Sequence, residues 1–171
     1  MSKDIDDVKN SFLKDEYFKL QDQYEDYDRR ALQIKGWISA GSIAGFAIEI
    51  NSKTYNSPTL LIIATISLCF WYLESMWKMF QYSIIDRIRI IEAHFRNDQE
   101  ILIKNPAPLQ IYNWWFRSFS KDEPIYSYEK HRPRSKLIRL WAAGKQTFVH
   151  LPYSLIILIC IALYLVELKQ G

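Results

Sequence analysis

Side chains able to do chemistry are few in this chain, and they are scattered. His94, His131 and His150 stand alone, with no Cys, Asp or Glu at a metal-ligand interval from any of them. Glu92 and His94 are two positions apart, which puts them on different sides of a helix. The five glycines form no phosphate-binding loop, and no serine has the surroundings of a nucleophile. Surface histidines are the expectation, with no catalytic, cofactor or metal-binding residues and no enzymatic activity. Cys69 and Cys160 both fall in apolar runs, so each is expected as a thiol buried in lipid or at a helix contact rather than as half of a disulfide.

Two acids say more. Glu49 and Glu74 are the only acids within or bordering the first two apolar runs, and a carboxylate in lipid must find a cation or water. Glu74 is expected to form an interfacial salt bridge with a cation such as Lys78. Glu49 lies deeper and is the candidate for lining an aqueous path. Just before it, Gly41 and Gly45 form a GxxxG motif with Ala44 between them and Ser39, Ala40 and Ala47 nearby. Small residues let helix backbones approach closely in lipid, where van der Waals contact replaces the hydrophobic effect. Ile38, Gly41, Ala44, Gly45 and Ile48 are therefore candidate contact residues, either to the neighbouring helix of the same chain or to a second subunit.

Farther along, Tyr112, Trp114, Trp115, Phe116, Phe119, Tyr126 and Tyr128 precede a basic cluster of Lys130, His131, Arg132, Arg134, Lys136 and Arg139. Such a cluster attracts phosphate, whether in nucleic acid or in lipid headgroups. An apolar run begins only nine residues after Arg139, which favours lipid over nucleic acid. Trp114, Trp115, Arg132, Arg134 and Arg139 are accordingly expected at the membrane surface.

The elements that position these residues follow from composition and spacing. With 171 residues, 49% hydrophobic and few glycines, the chain has room for one modest helical domain. Apolar residues concentrate in 36–50, 59–73 and 148–166. A helix needs about 20 residues to cross the hydrocarbon, and the last two runs qualify once flanking aromatics are included. The first run is short, but Trp37 opens it like an interfacial anchor, and NSKTYNSP, residues 51 to 58, adds helical length before Pro58 starts the next. The expectation is three spans at about 36–53, 59–77 and 148–168.

Orientation comes from the cations. The segment MSKDIDDVKNSF lacks the apolar core of a secretion signal. Lys and Arg number seven in residues 1–35, one in 51–58, thirteen in 78–145 and one in 168–171. Positive residues stay inside, so the N-terminus is expected in the cytoplasm and the C-terminus outside.

Leu13, Tyr17, Leu20, Tyr24, Tyr27, Ala31 and Ile34 keep a strict four-three spacing, and the same count continues through Ile38, Gly41, Gly45 and Ile48. One helix can thus serve water and lipid in register, with Gly36 the place for a kink. Trp77, Gln81, Ile84, Ile88, Ile91 and Phe95 repeat that spacing after the second run, with Asp86, Arg89, Glu92 and Arg96 paired on another face. A helix over 59–97 would be about 58 Å long, about twice the hydrocarbon thickness. The fold class predicted is all-α: an integral membrane protein with a long antiparallel transmembrane helical hairpin extending into the cytoplasm, plus a third, C-terminal transmembrane helix. Its parts are a cytoplasmic helix (1–35), the hairpin (36–77), a cytoplasmic continuation (78–97), an aromatic and basic segment (98–147) broken by Pro106, Pro108, Pro124 and Pro133, and the third span (148–168).

The stretches EYFKLQDQYEDYDRRALQIKGW and FWYLESMWKMFQYSIIDRIRIIEAHFR, with the small-residue run between them, resemble the small bacterial SLATT-type membrane proteins. The resemblance covers residues 10 to 97. It implies a bacterial inner-membrane effector of antiphage and conflict systems, which breaches the membrane when a signal or partner triggers it. A homo-oligomer in the lipid bilayer, with a cytoplasmic protein partner or signal, is the expectation; the alternative is a non-enzymatic scaffold recruiting such a partner. The third span and the aromatic segment depart from that pattern.

Overall fold

Apolar residues recurring every three or four positions wind most of the chain into helix. In the structure, a computed structural model, residues 2–52, 57–98, 103–104, 106–119 and 135–170 are described. They form α1 (Ser2–Ser52), α2 (Ser57–Phe95), α3 (Ile111–Phe119), α4 (Lys136–Gly144) and α5 (Thr147–Gln170), and no strand occurs among the described residues. Local chemistry accounts for the ends. Pro58 occupies the first turn of α2, where a missing N–H breaks no helical bond. At the far end Asn97 is left-handed (φ 56°), its N–H reaching the His94 carbonyl and that of Asp98 reaching Ala93, which closes the helix in a Schellman turn. Ser135 Oγ accepts the Ile138 N–H at 3.5 Å and starts α4.

The chain divides into two units. The first comprises Met1–Asp28 with Lys78–Arg139, and the second Arg29–Trp77 with Leu140–Gly171. In the first, α1 and α2 pack on Leu13, Leu20, Ile84, Ile88 and Ile91, with Tyr17, Tyr24 and Tyr27 along the edge. Partners step in opposite directions along the two helices: Asn10 with His94, Glu16 with Arg87, Tyr24 with Gln81, Asp28 with Lys78. The tyrosine stripe thus packs as its spacing predicts. Phe95 does not join it and is exposed.

The second face of α2 is also covered. Ile90 and Ala93 pack against Ile103 and Trp114, Phe80 lies 6.3 Å from Trp115, and Arg139 donates to Ser83 Oγ at 2.9 Å. Asp86 and Arg87 are consequently buried, whereas the sequence pattern put Asp86 on a charged outer face. Of that face, Glu92 and Arg96 remain as a partly exposed pair at 3.7 Å.

In the second unit Ile38, Leu60, Tyr153, Ile156 and Cys160 form the core, flanked by Phe46, Ile63, Phe70 and Trp71. Among the described residues two helices are long and apolar enough to cross a membrane, α2 from Pro58 and α5 over Thr147–Lys169. Most of the expected first span lies in α1 and does not reach that measure, because its apolar run is short, so that a stretch of spanning length takes in Lys35, Glu49 or Asn51 along with the glycines and serines. Beyond Ile38 the buried line of α1 also leaves the strict seven-residue count, passing through Ser42 and Glu49 while Gly41 and Ile48 are exposed. A straight helix of 3.6 residues per turn drifts about 20° per heptad against a seven-residue repeat, which is sufficient to move the line by one position.

Candidate functional site

The second unit has an apolar exterior and, beside its apolar core, a line of buried polar side chains. Trp37, Ile43, Ile48, Ile50, Leu61, Ile62, Leu151, Leu155 and Leu158 point outward, while Ser42, Glu49, Ser67 and Glu74 are at most 4% exposed. Spacing explains how both α1 and α2 bury a polar line: Ser42 and Glu49 are seven apart, as are Ser67 and Glu74, and Lys35 lies seven before Ser42. On a helix, positions seven apart share one face.

Glu74 is the best-defined member. Its Oε2 accepts a hydrogen bond from the Tyr153 hydroxyl at 2.7 Å, and the Lys35 ammonium stands 2.8 Å from Oε1 as an ion pair. That ammonium also donates to the Phe148 carbonyl at 2.7 Å. The reason this carbonyl needs a donor is Pro152, four residues on, which has no N–H to offer it. One lysine therefore caps the break that proline makes in α5 and neutralises the carboxylate of α2, joining three helices.

Nearby, α4 comes close enough to α2 for Trp71 Nε1 to donate to the Gly144 carbonyl at 3.0 Å. A Cβ at Gly144 would lie 2.5 Å from Ser75 Oγ and 3.1 Å from the Trp71 ring, so only glycine permits this approach. Ser67 and Ser75 donate back to the carbonyls of Ile63 and Trp71. Ser42 does not: its Oγ is buried without a hydrogen-bond partner.

The first unit holds a second polar knot. Arg87 forms a two-pronged pair with Glu16, at 2.9 and 3.0 Å, and both side chains are at most 2% exposed. Its guanidinium also donates to the Ala107 carbonyl at 2.6 Å and sits over the Trp114 ring, while Glu16 Oε1 accepts the Gln110 N–H. Between those anchors Leu109 adopts φ 61°, a conformation that a branched apolar residue holds only when its surroundings impose it. Gln81 donates to the Tyr24 carbonyl at 2.9 Å, and burial with Asp28 beside it raises the Tyr24 hydroxyl above its ordinary pKa.

The residues singled out from sequence are distributed unevenly over this geometry. Ile38 is in the core, and Gly45 faces α2, where an added Cβ would meet Ile63 Cδ1 at 2.9 Å. Gly41, Ala44 and Ile48 are exposed, and nothing lies within 4 Å of a Cβ placed on Gly41. Glu49 is buried in the polar line. The expected Glu74 partner, Lys78, instead binds Asp28 at 2.6 Å, since Lys35 occupies the carboxylate. Trp114 is turned inward onto Arg87, Ile90 and Ala93, while Trp115 is partly exposed beside Tyr112. Arg139 is held by Ser83, and Arg132 and Arg134 lie outside the described residues.

Lys35, Tyr153, Pro152, Gly144 and the Glu16–Arg87 pair were not anticipated. The seven-residue spacing of Lys35, Ser42 and Glu49, matched by Ser67 and Glu74, was the signal available for the polar line. Among the described residues no three of His, Cys, Asp and Glu gather to hold a metal ion. No protein-family model, curated protein or solved structure matches the chain.

Proposed function

We propose that the chain is an oligomeric effector of the bacterial inner membrane that perturbs or permeabilises the bilayer when triggered, the antiphage role that the SLATT-type resemblance implies. The observation carrying this reading is the exterior of the second unit: apolar side chains face outward along α1, α2 and α5, around an interior that holds carboxylates and hydroxyls beside its apolar core. In water such a surface aggregates, whereas in lipid it is the stable arrangement, because a buried charge is tolerated only in the protein interior. On this reading residues 36–53 and 59–77 form a transmembrane hairpin, 148–168 the third span, and the first unit a cytoplasmic assembly or sensing element. The exposed Gly41, Ala44 and Ile48 supply the face toward a second copy.

Two experiments test it. Cysteine labelling should place Lys53 outside and Arg30 inside; the same side for both ends the three-span reading. Gly41→Leu should leave the single-chain fold intact, since the position is open, yet abolish cross-linked oligomers and the loss of membrane potential on overexpression with the native neighbouring genes. No loss of potential in the unaltered protein under those conditions rejects the effector role.

A second reading, a non-enzymatic scaffold recruiting a cytoplasmic partner, is favoured by one feature of the first unit. Leu109, Tyr112 and Phe116 stand exposed on one side of α3 and its lead-in, opposite the face held by Glu16 and Arg87. If replacing these three with serine removes activity while Gly41→Leu does not, the scaffold replaces the effector.

A further inference from the structure

We propose that Trp37, Trp141, Phe148 and Lys145 form a belt that docks the second unit into the phospholipid headgroups of the inner leaflet, at the level of the buried Lys35–Glu74 pair; this rests on the reading that the unit lies in the membrane. Exposure and contacts place the belt. Trp37, Trp141 and Phe148 are 70%, 61% and 52% exposed. Phe148 meets the Lys35 ammonium through its carbonyl at 2.7 Å and through its ring at 5.9 Å. The Trp141 ring stands edge-on to Trp71 at 6.1 Å, three residues before Glu74, and the Gly144 carbonyl accepts the N–H of that same Trp71 indole. Trp37 follows Lys35 by two residues, about 3 Å of helix axis. Members from α1, α4 and α5 therefore share one layer.

Side-chain type changes away from this layer. Farther along the helices the large exposed residues are aliphatic, as Ile43, Ile48, Ile62 and Leu155 are, and an aromatic returns at Tyr164. Sixteen residues separate Phe148 from Tyr164 on α5, about 24 Å of axis, close to the hydrocarbon thickness of about 30 Å. Rings at the two edges of an aliphatic band are what the two interfaces of a bilayer select. Charge supplies the chemistry of the partner. Lys145 is exposed, whereas Glu49 and Glu74 are buried and Glu167 lies at the far end of α5. Among the described residues of the second unit, the layer thus presents a cation and no exposed acid, which suits the phosphate of a headgroup. It also sets the Lys35–Glu74 pair at the hydrocarbon edge, where an ionised pair costs less than at the centre.

The test uses the full chain, with Cys69 and Cys160 replaced by alanine, in vesicles of phosphatidylethanolamine and phosphatidylglycerol. A nitroxide is attached to a single cysteine, either Ala142→Cys, exposed beside the belt and leaving its members intact, or Ile43→Cys, facing outward within the aliphatic band. Collisions with oxygen, which concentrates in hydrocarbon, and with a nickel chelate, which stays in water, give the depth of each label. The label at Ala142 should meet both reagents, in a ratio between that at Ile43 and that of the free label in water. Combining Trp37→Ser, Trp141→Ser and Lys145→Gln should shift the ratio toward water. A ratio at Ala142 equal to either reference, or no shift in the combined variant, would overturn the belt. Protection from both reagents, as a second copy or another protein seated there would give, overturns it too. The depth in the unaltered belt needs no variant of its members, so misfolding of the combined variant leaves that measurement decisive. Alkaline carbonate extraction reads membrane placement separately: release of the protein would reject the proposed function itself, whereas retention with a water-like label at Ala142 rejects the belt alone.

Discussion

Helices α1 and α2 enter both units, and the surfaces they leave outside differ between one unit and the other. In the first, Leu13, Leu20, Ile84, Ile88 and Ile91 are interior while Arg89 and Arg96 face out. In the second, Ser42, Glu49, Ser67 and Glu74 are interior while Ile43, Ile48, Leu61 and Ile62 face out. Helical periodicity is the same throughout, so it identifies which positions are shared and not which solvent surrounds them. Each unit also buries an ion pair, and these two pairs fix different things. Glu16 with Arg87 ties the 107–114 segment to the paired helices, whereas Glu74 with Lys35 ties α5 to them through Tyr153 and Phe148.

Removing one partner from each pair is the strongest way to separate them. Glu16→Ala leaves the Arg87 guanidinium buried without its carboxylate and frees the Gln110 N–H, so it should cost about 3 to 5 kcal/mol. Denaturant unfolding of the detergent-solubilised protein measures this, and limited proteolysis should find new cleavage near Ala107. A cost below about 1 kcal/mol would show the pair to be solvated like a surface bridge. Glu74→Gln should cost less, about 2 kcal/mol, because the amide oxygen still accepts the Tyr153 hydroxyl while only the charged contact to Lys35 is lost. Should the ranking reverse, the second unit and not the first would depend more on its ion pair.

Residue spacing made one half of this comparison readable and obscured the other. Leu13 through Ile34 and Gln81 through Ile91 repeat at helical intervals, and a helix in water must bury such a stripe, so α1 and α2 and their contact followed directly. The inward polar line did not, because a search for apolar periodicity passes over Ser42, Glu49, Ser67 and Glu74. Pairing was harder still. Lys35 and Lys78 are equally plausible partners for Glu74 by charge, and the choice depends on Pro152 freeing the Phe148 carbonyl 113 residues from Lys35, a constraint no local pattern carries. Arg87 reads as one more surface charge until the 107–114 segment folds over it. Gly144 gave no signal because its need for hydrogen as a side chain arises from Ser75 and Trp71, distant along the chain.

Glycine substitutions sharpen the comparison at smaller cost. Gly144→Ala forces its Cβ against Ser75 Oγ and the Trp71 ring, and relief requires α4 to withdraw; about 1 to 2 kcal/mol should be lost, with the Trp71 emission shifting as its bond to the Gly144 carbonyl lengthens. Gly45→Ala meets only the mobile end of Ile63, so strain and the gain in helix propensity of up to about 1 kcal/mol should roughly cancel. Gly41→Ala meets nothing and should stabilise the isolated chain. Destabilisation there in the solubilised monomer would mean that the open face is used within the chain.

The smallest expected effect is at His94, and it applies to the first unit alone. Its Nε2 lies 3.0 Å from Asn10 Oδ1, and burial, followed by the positive charge of Lys9, holds its pKa below the ordinary 6.5. The folded protein therefore takes up this proton less readily than the unfolded chain. Between the lowered value and 6.5 the unfolded state binds more protons, so stability rises with pH across that window. It is complete above pH 6.5 and declines as the pH falls below it. Denaturant midpoints at neutral and mildly acidic pH should show the decline, and His94→Gln, which keeps a donor toward Asn10 without a titrating ring, should lessen it. A gain in stability on acidification that disappears with His94→Gln would mean that an acid, and not Lys9, dominates the field at the ring. The α1 to α2 contact at Asn10 would then have to be rearranged.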